Sequence, residues 1–135
     1  MDCETIKMEI PANPDYVSIL RLTTSGIANK LGFSMDDIED MKVAVSEACS
    51  NAVKHSEDNK VSINFNLLNN GIQIEIIDNG KGYDVDAIET PDLSNPKEGG
   101  LGLFIIQTLM DEVDIESRGN QGTTIKMTKY LGVDI

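Results

Sequence analysis

Two runs of alternating apolar and polar residues, KVSINFNLL (60–68) and IQIEIID (72–78), are separated only by Asn69-Asn70-Gly71, and this restricts the fold more than any other stretch. Asparagine and glycine at so short a connection turn the chain straight back on itself as an antiparallel hairpin. Three further runs carry the same period of two. TIKMEI (5–10) stops at Pro11 and Pro14, and VDIESR (113–118) and TTIKMTKYL (123–131) flank the turn GNQG. Between the strands the period changes. From Asp15, residues Val17, Leu20, Ile27 and Leu31 recur at helical spacing up to Gly32. Ser34 is an N-cap, with Asp36 and Asp37 in the first turn, for a long helix to about His55. LGLFIIQTLMDEV (101–113) predicts a third helix, and YDVDAIETPDLSNPKE (83–98), with two prolines and five acids, predicts a long loop. The order βααββ, loop, αββ implies an α+β domain, a two-layer sandwich with one mostly antiparallel sheet and its helices on one face.

A chain of 135 residues is enough for one domain with one core. Its 11 basic and 23 acidic residues give a net charge of -12. Such a field repels phosphate backbones and anionic lipid, so direct nucleic-acid or membrane binding is disfavoured and a basic protein partner is favoured. The expected location is the cytoplasm, since MDCETIKMEI is not a signal sequence and no run approaches the roughly 18 apolar residues of a membrane span. Cys3 and Cys49 lack metal-site spacing and read as buried or incidental thiols.

Three polar features stand out against this frame. On the helix AVSEACSNAVKHS (44–56), Ile38, Met41, Ala44, Val45, Ala48 and Ala52 form one apolar arc, and Glu47 and Asn51 stand at its rim. Asp78 ends an Ile-rich strand and is followed by Gly80 and Gly82. A carboxylate there can accept a hydrogen bond from an exocyclic amine, which selects adenine over guanine. Gly99, Gly100 and Gly102 open the third helix, where free N–H groups and the positive dipole end suit phosphate. Taken alone, each feature also has a bland reading: a solvated flank, a tight turn, a flexible junction. No P-loop ending, no Gly-x-Gly-x-x-Gly after a strand and no eukaryotic kinase signature is present.

Together and in order, the three features resemble the GHKL ATPase superfamily. Glu47-x-x-x-Asn51 corresponds to its N-box, Asp78-x-Gly80-x-Gly82 and Gly99-Gly100-x-Gly102 to its glycine boxes, and Gly122-Thr123 to its remaining element. VSEACSNAVKHS, EGGLGLFIIQTLMDEV and MTKYL look most like the bacterial anti-sigma factors that are also serine protein kinases, the general-stress type in particular. The resemblance spans nearly the whole chain and implies a single domain over 1–135.

For the site, the resemblance implies that Asn51 binds Mg²⁺ through its amide oxygen and that Glu47 is the general base for a serine hydroxyl. Asp78 would hold the adenine amine with help from Thr123. Gly80, Gly82, Gly99, Gly100 and Gly102 would line the pocket and the triphosphate with backbone, and residues 83–98 would be a lid. Lys54 and His55 are close enough in sequence to touch phosphates, with a surface role equally open, and Lys97 is the only basic residue of the lid. The implied partners are a sigma factor, an anti-anti-sigma antagonist phosphorylated on serine, and a second copy of the chain in a homodimer. The alternatives are a nucleotide-dependent binding switch without kinase turnover and the catalytic domain of a sensor histidine kinase. The latter needs a separate dimerisation helix pair, for which no segment is evident.

Overall fold

The computed structural model describes residues 4–79, 100–117 and 122–132. The chain forms β1 (Glu4–Pro11), α1 (Val17–Leu31), α2 (Met35–His55), β2 (Lys60–Leu68), β3 (Gly71–Asp78), α3 (Gly100–Leu109), β4 (Glu112–Ser117) and β5 (Thr123–Tyr130). The strands build one antiparallel sheet in the order β1-β2-β3-β5-β4. The helices cover one face of it, with α2 in the middle, packed on α1, α3, β2, β3 and β5. This is the expected α+β two-layer sandwich.

Alternation assigns the two faces. Val61, Ile63, Phe65, Ile72, Ile74, Ile76, Ile125 and Met127 are buried under the helices with Leu20, Met41, Ala44, Val45 and Ala48. The intervening residues make a polar outer face. There Asn66 Nδ2 donates to Glu75 Oε1 at 2.6 Å and to Gln73 Oε1 at 3.2 Å, and Lys126 pairs with Glu116 at 3.0 Å.

Helix ends follow local chemistry. Gly32, at φ 93°, closes α1 in the left-handed conformation that glycine adopts without steric cost. The Ser34 side chain accepts from the Asp37 N–H at 3.1 Å, with Asp36 and Asp37 in the first turn of α2 and Lys54 and His55 in its last, all favourable to the helix dipole.

Two expectations need correction. The first helix begins at Val17, because Pro14–Tyr16 forms a 3₁₀ turn capped by the Asn13 side chain. The third helix ends at Leu109 rather than Val113, because the Asp111 N–H donates to Thr128 O at 2.9 Å and draws the chain into β4. The hairpin is tight, with Leu68 opposite Gly71. Yet Asn59 is the only non-glycine among the described residues with positive φ, so the Asn69-Asn70 turn is made without it. Gly71 is needed for another reason: a Cβ there would lie 2.2 Å from Lys129 O on β5.

Candidate functional site

The middle of α2 supplies the first half of the site. Ala44, Ala48 and Ala52 are buried, and their small side chains let the helix lie close on the sheet. Glu47 is half-buried at the border of this face, and Asn51, one turn on, is only 7% exposed. Among the described residues, the Asn51 Nδ2 atom is buried without a hydrogen-bond partner. An amide left so costs about 1–3 kcal/mol, so its retention in a core helix points to a ligand that is yet to bind. A half-turn of the amide exchanges Nδ2 for Oδ1, so the same position offers a donor or a hard oxygen ligand.

The third residue of α3 comes against this pair. A Cβ built on Gly102 would lie 3.0 Å from Glu47 Oε2 and 3.6 Å from Asn51 Nδ2. Glycine there lets the helix start approach the two side chains closely, and α3 begins at Gly100 with its first N–H groups outside the helical ladder.

The second half lies at one end of β3. Asp78 continues the buried alternation of Ile72, Ile74 and Ile76 and is 3% exposed. It is paired on one side with Val61 and on the other with Thr123. Thr123 is 1% exposed, and its Oγ1 is, among the described residues, the second buried side-chain N or O atom without a hydrogen-bond partner. Gly122, at φ 111°, makes this pairing possible, since a Cβ there would stand 2.1 Å from Asp78 O.

Both halves sit at the same end of the molecule. Residues 56–59 lead from α2 to β2, and the loop is tied back to β3 where Asn79 Nδ2 donates to Asp58 Oδ2 at 2.6 Å. The structure thus brings Glu47, Asn51 and Gly102 into contact range and pairs Asp78 with Thr123. Gly80, Gly82, Gly99 and the expected lid over 83–98, with Lys97, lie outside the described residues. Lys54 and His55 are exposed on the last turn of α2. Sequence reasoning missed the Asp58–Asn79 bond, which joins residues 21 apart with no spacing signal.

Among the described residues no three His, Cys, Asp or Glu side chains gather as a metal cage. A Mg²⁺ ion would suit this site only with few protein ligands, which is its habit where substrate phosphates supply the rest. Asn51, with Glu47 close against Gly102, fits that pattern.

Comparison with known proteins decides the family. The profile of the histidine kinase-like ATPase domain matches residues 10–129. The serine-protein kinase RsbW of Bacillus velezensis is 46% identical over 138 residues, covering 93% of this chain and 85% of that protein. The chain belongs to the serine-protein kinase branch of the histidine kinase-like ATPases. Within that branch, the RsbW kinase of Bacillus subtilis is 42% identical over 142 residues, covering 96% of this chain and 88% of the kinase. Among solved structures, the RsbU and RsbW domains of a Mycobacterium tuberculosis protein superpose with a TM-score of 0.73 at 21% identity, over 97% of this chain and 33% of that one. The histidine kinase domain of a blue-light-activated kinase from Erythrobacter litoralis gives 0.56 at 17% identity, over 90% and 62%. Both likenesses concern the histidine kinase-like ATPase fold.

Proposed function

We propose that Mg-ATP binds between α2, the start of α3 and the Asp78 end of the sheet, and that the chain phosphorylates serine on a protein partner. It is an ATP-dependent serine-protein kinase, as its family is. The observation that carries the placement is the pair of buried, unpartnered polar atoms, Asn51 Nδ2 and Thr123 Oγ1, in the two halves of one site.

In this reading Asp78 accepts a hydrogen bond from the adenine amine, and Thr123 offers its hydroxyl beside it. Asn51 turns its amide oxygen to the cation. Mg²⁺, when bound, neutralises charge on the phosphates being parted. Gly100 and Gly102 present the start of α3 to the triphosphate, and Gly80, Gly82 and Gly99 line it with backbone. Glu47, facing Gly102 at the rim of the helix, takes the proton from the incoming serine hydroxyl, a role worth about 10²- to 10⁴-fold in rate. Phosphoryl transfer depends mostly on positioning and charge neutralisation, so a site this poor in basic side chains leans on helix-end amides and the cation. All of this lies within a single domain spanning 1–135.

The partners in this reading are a sigma factor, sequestered by the kinase, and an anti-anti-sigma antagonist, which phosphorylation on serine stops from displacing the sigma factor. The chain acts as a homodimer in the cytoplasm, without touching nucleic acid or membrane. No helix among the described residues is long and apolar enough to cross a bilayer.

Transfer of labelled γ-phosphate from Mg-ATP into a lysate of the source cells tests this. Serine labelling of one small protein by the wild type, lost in Glu47→Ala, is the expected result. Absence of labelling despite demonstrable ATP binding would overturn the kinase reading in favour of a nucleotide-dependent binding switch.

A further inference from the structure

The loop after α2 is short and internally fastened. Ser56 Oγ lies 3.1 Å from Asp58 Oδ1 and 3.0 Å from Lys60 O, and the Lys60 N–H donates to Asp58 Oδ1 at 3.3 Å. Asn59, at φ 62°, supplies the tight bend between them. One carboxylate oxygen is thus spent within the loop. The other, Oδ2, accepts from the Asn79 amide at 2.6 Å. Asn79 directly follows Asp78, and the loop directly follows the helix bearing Glu47 and Asn51.

We propose that Asp58 is a positioning residue which fixes the span between the two ends of the nucleotide site. Its bond to Asn79 ties the strand end that carries Asp78 to the helix that carries Asn51. It therefore acts on ligands that reach both halves at once and is silent toward a ligand that fills only the base half. The inference rests on the assignment of Asp78 to adenine and of Asn51 to the cation. The carboxyl is ionised at neutral pH like any exposed aspartate, and the Asn79 amide first, then Ser56 and the Lys60 N–H, hold it below the usual carboxylate range. A group lowered in this way keeps its bonds above the unfolded value of about 4 and loses them only as the pH falls through the lowered one.

The test uses the full chain and displacement of a fluorescent ADP by two probes, Mg-ADP and adenosine. Asp58→Ala should weaken Mg-ADP by roughly three- to tenfold, the loss of about one charge-assisted hydrogen bond at an exposed site, and leave adenosine within about twofold. Asn79→Ala removes the same bond from the other side and should match it. Asp58→Asn keeps a neutral amide–amide bond to Asn79 after a half-turn of either side chain but loses the charge, and should weaken Mg-ADP at the low end of the alanine range. Adding Asn79→Asp to Asp58→Asn restores a donor facing a carboxylate, and with it Mg-ADP affinity to within about twofold of wild type. Equal loss for both probes, no loss with either alanine variant, or failure of the exchanged pair to recover would overturn the proposal. Asp78→Asn is the control for the reading beneath it. It should weaken both probes, and if adenosine is unaffected by Asp78→Asn, the base assignment itself falls.

Discussion

Replacing Gly102 by alanine sets stability and activity against each other. The residue lies in the first turn of α3, where exchanging glycine for alanine favours the helix by up to about 1 kcal/mol. The added methyl group lands 3.0 Å from Glu47 Oε2, tighter than ordinary van der Waals contact, and 3.6 Å from Asn51 Nδ2, which is comfortable. Glu47 is a long, half-buried side chain and can yield by a few tenths of an ångström at small cost. The fold should therefore survive, with a melting temperature unchanged or raised by about 3–5 °C per kcal/mol gained at this chain length. The carboxylate, in contrast, leaves the place from which it would meet the serine hydroxyl. Displacements of about 1 Å can cost some 100-fold in rate, so a smaller shift should lower kcat for serine phosphorylation by about 10- to 100-fold. Nucleotide affinity should fall less, by under about tenfold, since the proposed adenine position, at Asp78, is at the other end of the site. Thermal melting and labelled-phosphate transfer on the same preparation read both effects. A kcat within about twofold of wild type would refute the placement of Glu47. Melting more than about 5 °C lower would show that Glu47 cannot give way.

Three further perturbations have defined outcomes. Thr123→Val removes a buried hydroxyl without a partner, so the nucleotide-free protein should gain about 1 kcal/mol in urea unfolding while ADP binding weakens about five- to tenfold. Lys129, 12% exposed at its side chain, donates to Leu109 O at 2.7 Å between Asp37 and Asp111. Lys129→Met should lower the urea midpoint by the equivalent of about 1–3 kcal/mol with an unchanged slope, because the last turn of α3 loses its anchor and two carboxylates lose their counter-charge. Burial pushes the Cys49 thiol up to about 11, leaving about one thiolate in a thousand at pH 8. In a Cys3→Ser background, disulfide-exchange labelling should be slow in the native protein and fast in urea, and rapid native labelling would contradict the burial.

Much of this architecture is legible in the residues themselves. The strands announce themselves because one face is buried and the other wet, so Ile72, Ile74, Ile76 and Asp78 fall in step. Glu47 and Asn51 can be paired on paper because four residues is one helical turn, and Asp78 because it ends a strand before glycines. Boundaries set by distant partners are not legible. Met110 and Val113 satisfy a helical period as well as a strand, and Thr128 O decides between them from the neighbouring strand. Gly71 looks like turn chemistry but answers to Lys129 O, and nothing in SEDN (56–59) points at Asn79. The approach of Gly102 to Glu47 is tertiary and has no local signature.

The β3–β5 ladder is a periodic track, and on its own a track of alternating isoleucines would accept a shift of two residues with the apolar face still inward. Gly71 and Gly122 work as buffers at its two ends. Any residue with a side chain that slid into either place would collide with the carbonyl of Lys129 or Asp78. The misregistered alternative they exclude would keep its core and part Asp78 from Thr123, a well-folded protein without the proposed adenine-binding pair. Fidelity of strand alignment is thus enforced by two absent side chains, and a mutational survey should find both positions closed to substitution although neither presents a functional group.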